Sequence, residues 1–241
     1  DAAENYIIPG LIDMHVHYGV TGKGDYWKRI ERDVEIETLA AAYGGMTTHY
    51  PMLAEKGRYA PIVKELTKFT NEHSFINTSF TVVVQTDEHI EEMAELHELG
   101  VSTFKFFFNP YKYEVFDTLS FMPVNEGQLF RALETIRDLG SPAVAMVHAE
   151  DCDLYSVFEK KARESDLEGL EAWAAARPSI CEYSRVEMAC MIALEANAPI
   201  HFVHISCGES VDILKRYQDR GLNVSAEVVP ANIGATMDDF A

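Results

Sequence analysis

The sequence predicts an α/β fold in which a parallel sheet is covered by helices, either doubly wound or closed into a barrel. Three observations carry this expectation. Short apolar runs recur seven times along the chain. Stretches with apolar residues near every third or fourth position lie between them, as amphipathic helices require. Gly44, Gly100, Gly140 and Gly221 each stand shortly before the next run, where a helix ends and a short turn leads into a strand.

Taken in order, the strand-like runs are 6–16, 46–51, 75–85, 101–108, 143–148, 199–206 and 222–229. Between the third and fourth, Ile90, Met93, Ala94 and His97 are expected to share one helical face. Leu129, Leu133 and Ile136 do the same in the next helix, which Asn125 and Gln128 open with the spacing of a capping box. The segment 152–180 is the longest connection and is expected to hold an extra helix. No convincing helix follows the run 222–229. With no low-complexity segment or linker, the whole stretch 1–241 reads as one domain. No G-x-G-x-x-G follows the first strand, which counts against a dinucleotide-binding sheet.

Composition narrows the function classes. Hydrophobic residues at 47% and charged residues at 24% describe a globular chain rather than a disordered one. No apolar run approaches the roughly 20 residues of a membrane helix, and no signal peptide opens the chain. A formal charge of −19 argues against nucleic acid, which demands clustered Lys and Arg. Cys152, Cys181, Cys190 and Cys207 form no C-x-x-C pair, so free thiols in a cytoplasmic protein are expected. Without an initiator Met, and with an apolar strand almost at once, the chain is expected to be a segment of a longer protein.

Parallel-barrel enzymes place their chemistry at the C-terminal ends of strands. His15 and His17 close the first run, and alternation turns both to one face. His148 ends the fifth run, and His204 lies near the end of the sixth. Four imidazoles at the ends of three strands point to a metal site. Lys105, in V-S-T-F-K-F-F-F, has apolar and aromatic neighbours on both faces. Burial favours its neutral amine, and a neutral amine can take up carbon dioxide to form a carbamate able to bridge two cations. Pairing with a barrel carboxylate is the alternative.

These motifs resemble a known family. P-G-L-I-D-M-H-V-H from Pro9 to His17 is similar to the first-strand signature of the amidohydrolase superfamily. Gly44 to Thr48 resembles the G-G-T-T motif of its hydantoinase and dihydropyrimidinase branch. F-K-F-F around Lys105, V-H-A-E-D from Val147 to Asp151, Arg177-Pro178 with Glu182, and F-V-H-I-S from Phe202 to Ser206 follow in matching order.

The resemblance implies a (β/α)8 TIM-type barrel and a metal-dependent hydrolase. It implies two divalent ions, zinc by preference. His15 and His17 would hold one, His148 and His204 the other, with carboxylated Lys105 bridging them. A shared metal-bound hydroxide would open the ring C–N bond of a cyclic ureide or imide such as a hydantoin or dihydropyrimidine. A homotetramer is expected by the same analogy. Allantoinase, dihydroorotase or another amidohydrolase is the alternative activity, and a non-catalytic dihydropyrimidinase-like scaffold the alternative of another class.

The sequence departs from the family pattern in three places. The acid–base aspartate of an eighth strand has no counterpart, since Asp238 and Asp239 follow the seventh run too soon, and the flanking β-sandwich is missing as well. The barrel is therefore expected to be truncated after about seven units. The oxyanion-stabilising tyrosine expected five residues after the lysine is Pro110, leaving Tyr111 as the candidate substrate contact and Tyr113 beyond it. Tyr18, Gly19 and Val20 stand where dihydroorotases carry an arginine, which weakens that reading.

Other polar residues take lesser roles. Asp13 is a candidate support for the H-x-H pair, and Glu150 and Asp151 are candidate partners of the ligands or plain loop residues. His49 is expected to pack or lie at the surface rather than line the pocket, and His201, by its parity against His204, to face the helices. His73, His89 and His97 are expected to be structural or exposed.

Overall fold

The computed structural model describes residues 4, 6–20, 25–108, 122–235 and 239. Its first strand, β1 (Leu11–Val16), is followed by helix α1 (Tyr26–Tyr43) and strand β2 (Met46–Leu53). Then come α2 (Ala60–His73), β3 (Asn77–Thr78), β4 (Thr81–Val83), α3 (Asp87–Glu98) and β5 (Thr103–Phe107). The second half holds α4 (Glu126–Leu139), β6 (Val144–His148), α5 (Cys152–Arg163), α6 (Gly169–Ala176) and α7 (Ile180–Ala196). It continues with β7 (Ile200–Phe202), α8 (Gly208–Asp219), β8 (Val224–Ala226) and α9 (Ala231–Gly234).

The strands pair in the order β1-β2-β4-β5-β6-β7-β8, with β3 added beside β2. Every pairing is parallel, as β/α alternation demands. Among the described residues β1 and β8 each have one strand neighbour, so the sheet is open between them. Leu11 and Ile12 of β1, and Val228 and Val229 after β8, have exposed side chains.

Alternation along the strands sorts the core into two layers. Phe104 and Phe106 of β5 join Leu129, Leu133 and Ile136 of α4 in the large layer between sheet and helices. Each of these five is 0% exposed, and such burial contributes about 1.5–3 kcal/mol per side chain. The opposite parity of β5 carries Thr103, Lys105 and Phe107 into the concave side. There Phe107 packs with Met52, Ala54 and Val83, while the hydroxyls of Thr81 and Thr103 meet at 2.6 Å. Lys105 therefore belongs to the interior of the sheet's curve.

Helix starts follow local sequence. Asp25, Thr86 and Asp151 cap α1, α3 and α5 through their side chains, and Asn125 with Gln128 forms the expected capping box on α4. The expectation for α3 needs one change: Leu96 joins Ile90 and Met93 in the buried face, whereas Ala94 is exposed. The run 6–16 also contracts to β1, leaving Tyr6, Ile7 and Ile8 exposed outside it. The connection 152–180 holds two helices, α5 and α6. No helix among the described residues is long and apolar enough to cross a membrane.

Candidate metal centre

His15, His17, Lys105, His148 and His204 meet at the C-terminal ends of β1, β5, β6 and β7. Lys105 pairs in register with Met146, and Phe107 with His148, so β5 and β6 deliver their functional side chains side by side. The Nε2 atoms of His15 and His17 are 3.1 Å apart. Nδ1 of His148 lies 2.9 Å from Nε2 of His204. The two pairs adjoin, with the His15 and His204 ring centroids 5.5 Å apart, and the Lys105 amine lies 3.4 Å from His15 Nε2. Phe107 stacks beneath His148 at 5.4 Å between centroids.

Burial sets the protonation of this cluster. It pushes the Lys105 amine down to about 7, with the Glu227 carboxylate opposing only in part. His17 falls to about 3, from burial first and then from His15, Lys105 and His148. His204 also falls to about 3, by burial and the neighbouring His148 and Lys105. His15 and His148 move down as well, chiefly by burial. Near neutral pH the four rings are therefore uncharged and offer lone pairs, which is the form that binds metal.

The spacing can be tested against a cation. Two nitrogens each about 2.0–2.1 Å from a tetrahedral zinc are separated by about 3.3 Å. The observed 3.1 Å and 2.9 Å lie close to that edge length. Among the described residues no group of three His, Cys, Asp or Glu donors converges on one point. The donors come as two pairs, and the group lying against His15 is the lysine. The neutral imidazoles of each pair are donors of a kind that fits a cation, with the Lys105 amine set against the first pair.

His204 reaches its place through unusual backbone. The strand β7 ends at Phe202, and His204 sits at φ 42° in the left-handed region. Three sets of hydrogen bonds hold this turn. Val203 N donates to Val147 O, Ile205 N to Glu227 O, and Ser206 N and Cys207 N to the Glu182 carboxylate. Glu182 also accepts from the hydroxyls of Ser206 and Ser210, tying the start of α8 to α7.

This turn overturns one expectation. His201 does not face the helices; its Nδ1 lies 2.8 Å from Ser225 Oγ and its Nε2 3.3 Å from Glu227 Oε2. The parity argument fails because alternation ends with the strand, and the backbone reversal at His204 resets the count.

Other candidates fall into place. Asp13 Oδ1 accepts the His15 amide at 3.0 Å. His49 is buried against the Tyr18 hydroxyl, which lies 2.7 Å from its Nδ1. His89 is also buried, with Nε2 3.0 Å from Gly57 O. Glu150 stands 3.8 Å from His148 Nε2 and 3.7 Å from Arg177 Nε. Asp151 caps α5. Tyr111, Pro110, Tyr113 and Asp238 lie outside the described residues.

Glu227, just beyond β8, was not among the residues singled out by pattern. Its Oε1 lies 2.6 Å from His15 Nδ1. Burial raises its carboxyl, but the hydrogen bonds from His15 and His201 outweigh this and hold it well below the usual carboxylate range. The available signal was an acidic residue, two positions after Ser225, at the C-terminal end of the last strand-like run.

The dihydro-orotase-like family model matches residues 4–210. The chain belongs to that family. This dihydro-orotase-like chain is 32% identical over 237 residues to a D-hydantoinase of Geobacillus stearothermophilus, covering 95% of the chain and 47% of the relative. It is 25% identical over 245 residues to an allantoinase of Escherichia coli O9:H4 (strain HS), covering 100% of the chain and 52% of that protein. A solved D-hydantoinase structure superposes with a TM-score of 0.78 at 26% identity, covering 96% of the chain and 49% of that structure. The L-hydantoinase from Arthrobacter aurescens superposes at 0.84, and its 22% identity supports the shared fold alone; it covers 99% of the chain and 51% of that structure. The dihydro-orotase-like chain thus spans about half the length of the curated relatives it matches. The architecture is that of a TIM-type (β/α) barrel, of which the described strands form a parallel part.

Proposed function

We propose that the protein hydrolyses the ring C–N amide bond of a cyclic ureide or imide with the help of two divalent cations. The observation that carries this reading is the pairing of four neutral imidazoles at near-tetrahedral spacing around a buried lysine. The names of the relatives, hydantoinases and allantoinases, support the substrate class.

His15 and His17 would hold one cation and His148 and His204 the other. Imidazole and oxygen donors make zinc the preferred ion. When bound, such cations polarise an amide carbonyl and lower the pKa of water. Lys105 reacts as its neutral amine: Nζ forms a bond to the carbon of carbon dioxide and releases a proton to solvent. The resulting carbamate supplies two oxygens where the amine stood. The strands fix these groups, and Phe107 with its apolar neighbours keeps one side of the cluster dry.

In the overall reaction water adds its oxygen to the carbonyl carbon, the ring C–N bond breaks, and the nitrogen takes a proton. The residues after His17 favour a ring without a carboxylate. Tyr18 is buried against His49, and Gly19 and Val20 carry no charge. A dihydroorotate carboxylate would find no cationic partner from these three residues.

Reconstitution of the protein with zinc and bicarbonate, followed by a panel of hydantoin, dihydrouracil, allantoin, dihydroorotate and linear amides, tests the reading. Ring opening of an uncharged ureide is expected. Turnover of linear amides alone would contradict it, and a protein that binds no metal would favour a scaffold.

A further inference from the structure

Beyond the five candidate ligands, one hydrogen-bonded row leads away from the centre along the interior of β7 and β8. It runs Ser225, His201, Glu227, His15. Ser225 Oγ is 2.8 Å from His201 Nδ1, and His201 Nε2 is 3.3 Å from Glu227 Oε2. Glu227 Oε1 is 2.6 Å from His15 Nδ1. The far nitrogen of His15 then faces His17 and Lys105.

Donor and acceptor chemistry gives the row a direction. An ionised carboxylate only accepts, so both imidazoles must donate to Glu227. His15 then carries its proton on Nδ1. Its Nε2, 3.1 Å from His17 Nε2 and 3.4 Å from the Lys105 amine, is the nitrogen aimed at the centre. His201 likewise donates from Nε2, and its Nδ1 is free to accept from the Ser225 hydroxyl.

The backbone of Glu227 is tied to the other half of the centre. Its N–H donates to Phe202 O and its carbonyl accepts from Ile205 N, bracketing the turn that carries His204. One residue therefore grips the His15 side chain and the His204 loop together.

We infer that Glu227, held from behind by His201, is a positioning residue that locks His15 as an Nε2 ligand. This rests on the metal-centre reading above. A purely structural His–Glu pair would also keep the hydrogen on His15 Nδ1, but its removal would not single out one of two ions, whereas removal of the lock does.

The test uses the protein labelled with 15N-histidine, together with E227A, E227Q and H201F. In the metal-free wild type, long-range 1H–15N correlations are expected to report His15 as the Nδ1–H tautomer. In E227A the tautomer should become mixed, and titration should lose about 10–100-fold in affinity for one zinc ion while the second is retained. E227Q keeps an acceptor for Nδ1–H, so it should keep the tautomer and lose less affinity. H201F should move affinity in the same direction by a smaller factor.

An Nε2–H tautomer of His15 in the wild type would overturn the inference. So would unchanged affinity for both ions in E227A. If E227A fails to fold, the wild-type tautomer and E227Q decide. If the wild type binds no zinc, the metal-centre reading fails, and the tautomer still reports on the Glu227 lock.

Discussion

Lys105→Met is the most informative single change in the metal-free protein. Lys105 is 1% exposed among Thr103, Phe107 and the histidines, and burial takes its amine from 10.5 to about 7. At 1.36 kcal/mol per pH unit that displacement corresponds to roughly 5 kcal/mol of disfavoured charge. The sign follows from proton binding. Between pH 7 and 10.5 the unfolded chain binds the extra proton, so wild-type stability rises with pH across this window. The cost is roughly 4–5 kcal/mol at and below pH 7 and fades as the unfolded lysine itself deprotonates. Methionine has nearly the same length and volume and carries no charge, so the variant should be more stable at pH 7 and should lack this rise. Urea unfolding of both proteins at pH 7, 8, 9 and 10, with chelator present, measures the difference. Parallel profiles, or a variant less stable at every pH, would refute the burial argument.

Four other outcomes are expected. Glu182→Ala removes the acceptor of two backbone amides and two hydroxyls at the start of α8, and should cost about 2–4 kcal/mol in urea unfolding while loosening the His204 turn. Leu133→Ala, at a site with 0% exposure between α4 and the sheet, should cost about 2–5 kcal/mol by the same assay. Tyr18→Phe leaves buried His49 without its hydroxyl partner and should cost about 1–3 kcal/mol with no change in zinc stoichiometry by elemental analysis. The metal-free protein should also lose stability as pH falls below 6.5 toward 3. There the unfolded histidines bind protons that His17 and His204 refuse until about 3. Thermal melts at pH 7, 6 and 5 check this.

Much of the architecture was legible because it repeats. The β/α units announce themselves by a change from period-two to period-3.6 patterning and, before four of the runs, by a glycine at Gly44, Gly100, Gly140 or Gly221. Gly100 and Gly221, at φ 93° and 92°, occupy backbone conformations that side chains avoid. The five candidate ligands were legible because imidazoles at strand ends, and a lysine in an aromatic strand, are costly unless used.

What escaped the sequence was geometry beyond the strand. His201 was misassigned because parity cannot be carried through the positive-φ turn at His204. Glu227 escaped because nothing local distinguishes it from a solvated carboxylate. Its partner His15 is 212 residues away, and only the curve of the sheet brings them within 2.6 Å. The short span of β1 shows a similar limit, since Tyr6, Ile7 and Ile8 read as strand by composition but gain no neighbour to pair with among the described residues.

The central claim is that Lys105 and the four histidines form one centre with a carbamate at its middle. Carbon-13 NMR of the protein loaded with zinc and 13C-bicarbonate tests it most directly. The account predicts one carbamate resonance per chain that appears with two bound zinc ions and vanishes in Lys105→Met. Two bound zinc ions with no such resonance, or a resonance that survives the substitution, would contradict it.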